Sequence, residues 1–283
     1  MHPSTGEHPA LHEALAAEDH RTAAGRVLSV LDVFDQDHLE LTLSEISRRA
    51  DLTLSTAHRL VGELRDWGAL ERTAEGRYAV GLRVLELGSL EPQMLQLRDV
   101  APAYLADLQA AVRANVHLSV RDGHDVVYVE SLQRHSGAHV LSRLGGRWPL
   151  HTTATGMVLL ASAPAAVRQD VLASPLKRYT DHTITDPDTL RRMLAEVHRT
   201  GVAVLTETIT LGTFAVGVPV RGPSDRVVAA LSVTLKIDGS RTVHQVLPAL
   251  NATARALSRA LGSASSGISP PGAPGSTVQP FAV

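Results

Sequence analysis

The chain has 283 residues, of which 44% are hydrophobic and 20% charged, with a formal net charge of −2 and no cysteine. It is longer than one ordinary compact domain and too apolar for a disordered chain, so two packed domains are expected. Disulfides, thiolate metal sites and cysteine catalysis are excluded. No apolar run approaches the roughly 20 residues of a membrane helix, and residues 1–20 lack the pattern of an export signal, so the reading is a cytoplasmic protein with no membrane partner.

Residues 1–20 and the Gly/Ser/Pro-rich residues 262–283 read as disordered tails. Between them a helical region is expected at 21–81, a linker helix at 82–98 and an α+β domain at 99–261. A first helix is indicated by Val27, Leu28, Val30, Leu31 and Phe34, taken as one apolar face. Thr42-Leu43-Ser44-Glu45 has the form of a capping box and opens a second helix with Leu43, Ile46 and Ala50 inward. After a short turn at Asp51-Leu52, Thr53 caps a third helix whose apolar set is Ala57, Leu60, Val61, Leu64 and Trp67. Its opposite face carries Ser55, Thr56 and Arg59, with His58 at the margin. A small hairpin follows, residues 68–72 and 77–80 around Thr-Ala-Glu-Gly.

Two short helices joined by a tight turn, then a hairpin, make a winged helix-turn-helix, the arrangement that lays a second helix in the major groove of DNA. The candidate DNA-contacting residues are Thr42, Thr53, Ser55, Thr56, His58, Arg59, Arg72 and Arg77, with Ser55, Thr56 and Arg59 reading bases. The wing arginines would meet phosphate or the minor groove. Bulk charge does not argue for this. Residues 39–90 hold Arg48, Arg49, Arg59, Arg65, Arg72, Arg77 and Arg83, but also Glu40, Glu45, Asp51, Glu63, Asp66, Glu71, Glu75 and Glu86. DNA binding therefore needs the charges sorted by face.

Further on, Pro92 and Pro102 read as helix breaks or starts, and a helix is expected at 99–112. Strands at 115–120 and 125–130 flank an Asp-Gly turn. Others are expected at 138–144, 202–207, 214–221 and 226–235, the last two around Gly-Pro-Ser-Asp. Helices are expected at 153–162, 165–173, 187–199 and 242–261, giving an antiparallel sheet with flanking helices. Ser232 and Thr234 alternate along a strand and would equally suit a pocket or a solvated face. Glu207 reads as a surface acid at a strand end. His135 and His139 sit in a Ser-Gly loop without a third ligand, which argues against zinc. No metal and no cofactor is expected.

The segment LTLSEISRRADLTLSTAHRLVGELRDWGALERTAEGRYAVGLRVLELG resembles the DNA-binding domain of the IclR family of bacterial transcriptional regulators. GGRWPLHTTATGMVLLA, the run ending in TITD, and VPVRGPSDRVVAALSVT resemble that family's effector domain. The resemblance covers nearly all of residues 25–261. It implies an N-terminal winged helix-turn-helix domain plus a C-terminal GAF-like α+β effector-binding domain, a double-stranded DNA operator, a small-molecule effector and a homodimer or homotetramer. It places the ligand between the sheet and Leu150–Gly156, where Thr153, Ala154, Thr155 and Gly156 would form a helix start whose free N–H groups hold a carboxylate, and carries Ala215, Ser232 and Thr234 into the pocket wall. The chain departs from the family at Thr53-Leu54, where a proline and a basic residue are frequent. It departs again at Glu207, which is all that remains of an acidic cluster, and at Ala215, in place of a frequent cysteine.

Two other classes compete. A hydrolase would need His117 or His151 to meet a serine and an acid in space, yet no G-x-S-x-G elbow, phosphate loop, G-x-G-x-x-G or H-E-x-x-H is present, and the reading is not an enzyme. A helix-turn-helix serving only protein contacts is favoured by the acidic bulk charge and disfavoured by the Ser55/Thr56/Arg59 face.

Overall fold

The computed structural model describes residues 22–35, 37–90, 92–134, 143–239 and 241–265, and the chain divides into two compact units at Pro92 and Gln93. Residues 1–20 and 266–283 of the expected tails, residues 138–142 of an expected strand, and His135 and His139 lie outside the described residues.

The first unit begins with α1 (Ala23–Asp32), capped by Thr22, whose side chain accepts from the Gly25 N–H. Val30 of this helix is buried, whereas Leu28 is exposed. Two positions along a helix turn the chain by about 200°, so Leu28 points away from the face that Val30 buries, contrary to its expected place. Strand β1 (Glu40–Leu41) leads into α2 (Leu43–Arg49), where the capping box forms as expected. Thr42 accepts from the Glu45 N–H at 3.3 Å and Glu45 accepts from the Thr42 N–H at 2.8 Å. Helix α3 (Leu54–Trp67) is capped by Thr53 and ends on Gly68, whose φ of 89° is a left-handed conformation open to glycine at little cost. Ala57 is buried, and Leu60, Val61 and Leu64 share one apolar cluster with Ile46 and Leu41, each large side chain contributing roughly 1.5–3 kcal/mol. Trp67, expected on this face, is 53% exposed and has the Arg83 guanidinium 5.6 Å from its ring centre. It stands at the edge of the apolar stripe in the last turn, beyond the side chains that cover the rest.

Strands β2 (Leu70–Arg72) and β3 (Tyr78–Val80) form the hairpin, and β1 adds to it in the order β1-β3-β2. Helix α4 (Leu82–Gly88) follows and buries no residue; Leu82, Leu85, Leu87 and the adjoining Leu90 are all exposed.

The second unit opens with α5 (Pro92–Val112), which runs unbroken through Pro102. A proline inside a helix forfeits one backbone bond at roughly 3 kcal/mol. The buried stripe Leu97, Ala101, Leu105, Leu108 and Val112 keeps helical phase across it, and its packing outweighs that loss. A six-stranded antiparallel sheet follows, built from β4 (Asn115–Asp122), β5 (Asp125–Leu132), β6 (Arg147–Pro149), β7 (Ala203–Thr206), β8 (Thr213–Arg221) and β9 (Val227–Lys236) in the order β6-β5-β4-β9-β8-β7. Sequence reading missed β6, and Arg143 and Leu144, expected in a strand, are irregular or in a turn.

One face of the sheet packs on α5 and on α9 (Val243–Ser265) through Leu118, Val216, Leu231, Val233 and Leu250. Helix α9 contains Pro248 and extends past the expected end at Leu261. The other face is covered by α6 (Ala154–Ala161), all eight of whose residues are buried, with α7 (Ala165–Ala173) and α8 (Pro187–Thr200) beyond it. The architecture is α+β, a helix-turn-helix with a small sheet followed by an α+β domain on a six-stranded antiparallel sheet.

Candidate functional site

In the first unit, burial of Ala57, Leu60, Val61 and Leu64 leaves Ser55, His58 and Arg59 exposed on the other side of α3, with Thr56 half-buried. The Thr53 hydroxyl holds the first turn, accepting from the Thr56 N–H and lying 2.8 Å from the Thr56 hydroxyl. Arg59 donates to Glu63 at 2.5 Å, one turn on. Both side chains are well exposed, so the pair contributes only about 0.3–0.5 kcal/mol and is easily exchanged for a phosphate or base. Arg77 instead bonds within the protein, to the Glu40 carbonyl and the Glu45 carboxylate, both at 3.0 Å. The Thr42 N–H and hydroxyl, with Arg77 adding its charge, hold the Glu45 carboxyl below its ordinary pKa. Thr42 is thus occupied in the capping box. Arg72, exposed at the end of strand β2, has no ion pair among the described residues and lies beside the turn at Gly76.

In the second unit a cavity of about 50 Å³ lies between the sheet and the start of α6. Thr153, Ala154, Glu207, Ala215, Ser232 and Thr234 line it, whereas Thr155 and Gly156 do not. Two close approaches fix this helix start. A β-carbon on Gly156 would fall 2.3 Å from the Leu150 carbonyl oxygen, and one on Gly217 of β8 would fall 2.7 Å from that of Ala154. Thr153 caps the helix by accepting from the Gly156 N–H at 2.9 Å, which leaves the N–H groups of Ala154 and Thr155 without an intrahelical acceptor. The turn between β7 and β8 closes the cavity. Thr208 donates to the Thr152 carbonyl at 2.8 Å, the Glu207 carbonyl accepts from Thr180 at 2.6 Å, and the Glu207 carboxylate accepts from the Gly212 N–H at 2.7 Å. Glu207 holds this turn with φ at 56°.

Ser232 and Thr234 do not face solvent; both are buried, on the same side of β9 as Ala230. Sequence reasoning missed Tyr128, Trp148, Thr208 and Thr213 on the cavity wall. Period-two alternation marked the strands but not which face held the polar side. His151 lies in the 3-10 turn Leu150–Thr152, its Nε2 3.1 Å from the Lys177 carbonyl oxygen, and burial holds its pKa below the ordinary imidazole value. It orients the segment ahead of α6. The Nδ1 of His117 lies 3.1 Å from the Ser131 hydroxyl, but among the described residues its Nε2 has no partner, so no serine-histidine-acid set assembles there from them. Among the described residues no group of three or more potential ligands is placed to hold a metal ion, and no helix is long and apolar enough to cross a membrane.

Residues 23–74 match the IclR helix-turn-helix domain and residues 92–259 the C-terminal domain of bacterial IclR transcriptional regulators. The chain is 32% identical over 242 residues to the HTH-type transcriptional regulator XynR of Escherichia coli, covering 84% of this chain and 96% of that one. It is 31% identical over 259 residues to the p-hydroxybenzoate hydroxylase transcriptional activator of Acinetobacter baylyi, covering 88% and 95%. Among solved structures, an IclR homolog from Microbacterium hydrocarbonoxydans, crystallised in complex with 4-hydroxybenzoate, superposes with a TM-score of 0.79 at 36% identity, covering 83% of this chain and 97% of that one.

Proposed function

The chain belongs to the IclR family of DNA-binding transcriptional regulators with an effector-binding C-terminal domain, and from that premise we propose that a small organic acid bound in the 50 Å³ cavity sets its affinity for an operator. The observation that carries this reading is the composition of the cavity. Thr153, Thr208, Ser232 and Thr234 line it beside the start of α6, and among the described residues Glu207, which accepts from the Gly212 N–H, is the one charged residue of the lining. An anion is held there by neutral donors and a helix terminus, as carboxylates and phosphates are elsewhere. The relative crystallised with 4-hydroxybenzoate and the relative named as the p-hydroxybenzoate hydroxylase transcriptional activator make a hydroxylated aromatic acid the first candidate.

A cavity of 50 Å³ has room for a few waters, and an aromatic ring needs more. Binding therefore selects a form in which the turn after β7 stands further from β9, and this difference between forms is what an effector uses to bias DNA binding. A homodimer or homotetramer supplies two recognition helices to a palindromic operator, since one short helix contacts too few bases. The four exposed leucines at and just after α4 give a second copy an apolar surface to cover. Ser55, Thr56 and Arg59 read bases, and Arg72 meets phosphate.

The test is binding of the full chain, and of Arg59→Ala, to its own upstream intergenic DNA across a salt series, with and without 4-hydroxybenzoate. Saturable, salt-dependent binding that is specific, weakened in the variant and shifted by the acid supports the reading. Absence of specific binding at every salt concentration would return the helix-turn-helix to a protein-contact role, and an acid that binds without moving operator affinity would remove the coupling.

A further inference from the structure

Five of the six strands of the C-terminal sheet bring a side chain to the cavity: Trp148 from β6, Tyr128 from β5, Ser232 from β9, Ala215 from β8 and Leu205 from β7. Strand β4 runs between β5 and β9 and contributes none. Its register nevertheless pairs His117 with Ser131 and Ser232, and Ser119 with Tyr128 and Ala230. Directly opposed residues of an antiparallel pair carry their side chains on one face, so His117 and Ser119 stand on the cavity side. The β-bulge at Leu118/Ser119 in the β4–β5 pairing leaves the Tyr128 ring edge-on to the imidazole, with centroids 5.3 Å apart. His117 is 1% exposed and Ser119 fully buried, yet among the described residues His117 Nε2 and Ser119 Oγ are two of the few buried side-chain polar atoms without a hydrogen-bond partner. Two such atoms, two residues apart on one face of one strand, form a matched pair. Buried polar groups are almost always satisfied, and one left open asks for the group that completes it.

We propose that His117 and Ser119 form the hydroxyl-reading end of the effector site, bonding an uncharged hydroxyl of the acid whose carboxylate lies at the start of α6. This rests on the effector reading above. A hydroxyl fits better than a second carboxylate for two reasons. Burial pushes His117 down to about 4, so the ring is neutral near pH 7 and brings no charge to balance an anion. With Nδ1 engaged by Ser131, the tautomer decides whether Nε2 donates or accepts, and a hydroxyl answers either one. Phe or Val at these positions would make the same core without the two open atoms.

The experiment is calorimetric titration of the full chain with 4-hydroxybenzoate and with benzoate, which differs only in lacking the hydroxyl. The wild type is expected to prefer the hydroxylated acid about 10-fold or more, and the ratio to collapse toward 1 in Ser119→Ala, a small change that folds readily, and in His117→Phe. Equal affinity of the wild type for both acids overturns the inference while leaving the effector reading intact, as does a preference that survives in both variants. If neither acid binds, the aromatic-acid reading fails. The same comparison is then made by thermal shift with aliphatic hydroxy acids and their deoxy counterparts, lactate with propionate and 3-hydroxybutyrate with butyrate. A wild type that distinguishes no such pair overturns the assignment of His117 and Ser119.

Discussion

Replacing Gly217 by alanine tests whether the close approach of α6 to β8 positions the effector site. The added β-carbon would lie 2.7 Å from the Ala154 carbonyl oxygen and 2.8 Å from its carbon, where ordinary contact begins at 3.4 Å. Both partners are backbone, so no side chain can rotate away, and helix and strand must part by about 0.7 Å. Overpacking of this kind costs about 1–3 kcal/mol, and loss of glycine's freedom in the unfolded chain returns about 0.4–1 kcal/mol. A net loss of about 1–2 kcal/mol in a domain of this size lowers Tm by roughly 2–8 °C. Gly217 pairs with Ser232, and Ala154 and Ser232 both line the cavity. The parting therefore opens the site itself, and effector affinity should fall about 10-fold or more. Thermal unfolding and effector titration of Gly217→Ala read both effects. An unchanged or higher Tm together with unchanged affinity would refute the reasoning, because the helix start would then be held by something other than this contact.

Gly62 offers the opposite case: it lies inside α3 and an added β-carbon meets nothing within 4 Å. Gly62→Ala should stabilise the first unit by about 0.8–1 kcal/mol, read by urea unfolding, and a destabilised variant would contradict the open space. His117 makes stability depend on pH. Its pKa is about 4 in the fold against 6.5 for the ordinary side chain, so the unfolded chain takes up the proton first as pH falls. Its contribution is complete above pH 6.5 and is lost progressively down to pH 4, a difference on the order of 3 kcal/mol. Unfolding curves of wild type and His117→Phe should therefore draw apart in that window, and parallel curves would place the imidazole in a wetter site. Arg59→Ala should lose about 10- to 100-fold in operator affinity, measured by fluorescence anisotropy, with Tm unchanged because its pair with Glu63 is exposed. Equal loss on operator and unrelated DNA would make Arg59 a phosphate contact rather than a base reader.

Local rules determined much of this protein. The capping box at Thr42 and Glu45, the Thr53 cap and the left-handed Gly68 are decided within four residues, and the helix-turn-helix was legible for that reason. The hairpin at Asp122-Gly123 was legible on the same grounds, since turn chemistry and alternation act over short distances. Strands β1 and β6 were not legible. They are two and three residues long, and β1 exists only because Glu40 meets Ala79 across the chain. Pro102 reads as punctuation but lies inside a helix, because burial of a continuous stripe outweighs one lost backbone bond. Leu28 and Trp67 were assigned to buried faces from apolar spacing along their helices, and the actual angle and reach of those helices put them in solvent. The candidate effector site belongs to the tertiary structure in the same sense. Thr153 and Ser232 are 79 positions apart in the sequence, and neither shows which face of its element will be enclosed. Only the stacking of α6 on the sheet, possible because Gly217 lacks a β-carbon, brings scattered polar side chains to one cavity and leaves His117 and Ser119 buried beside it with bonds still to make.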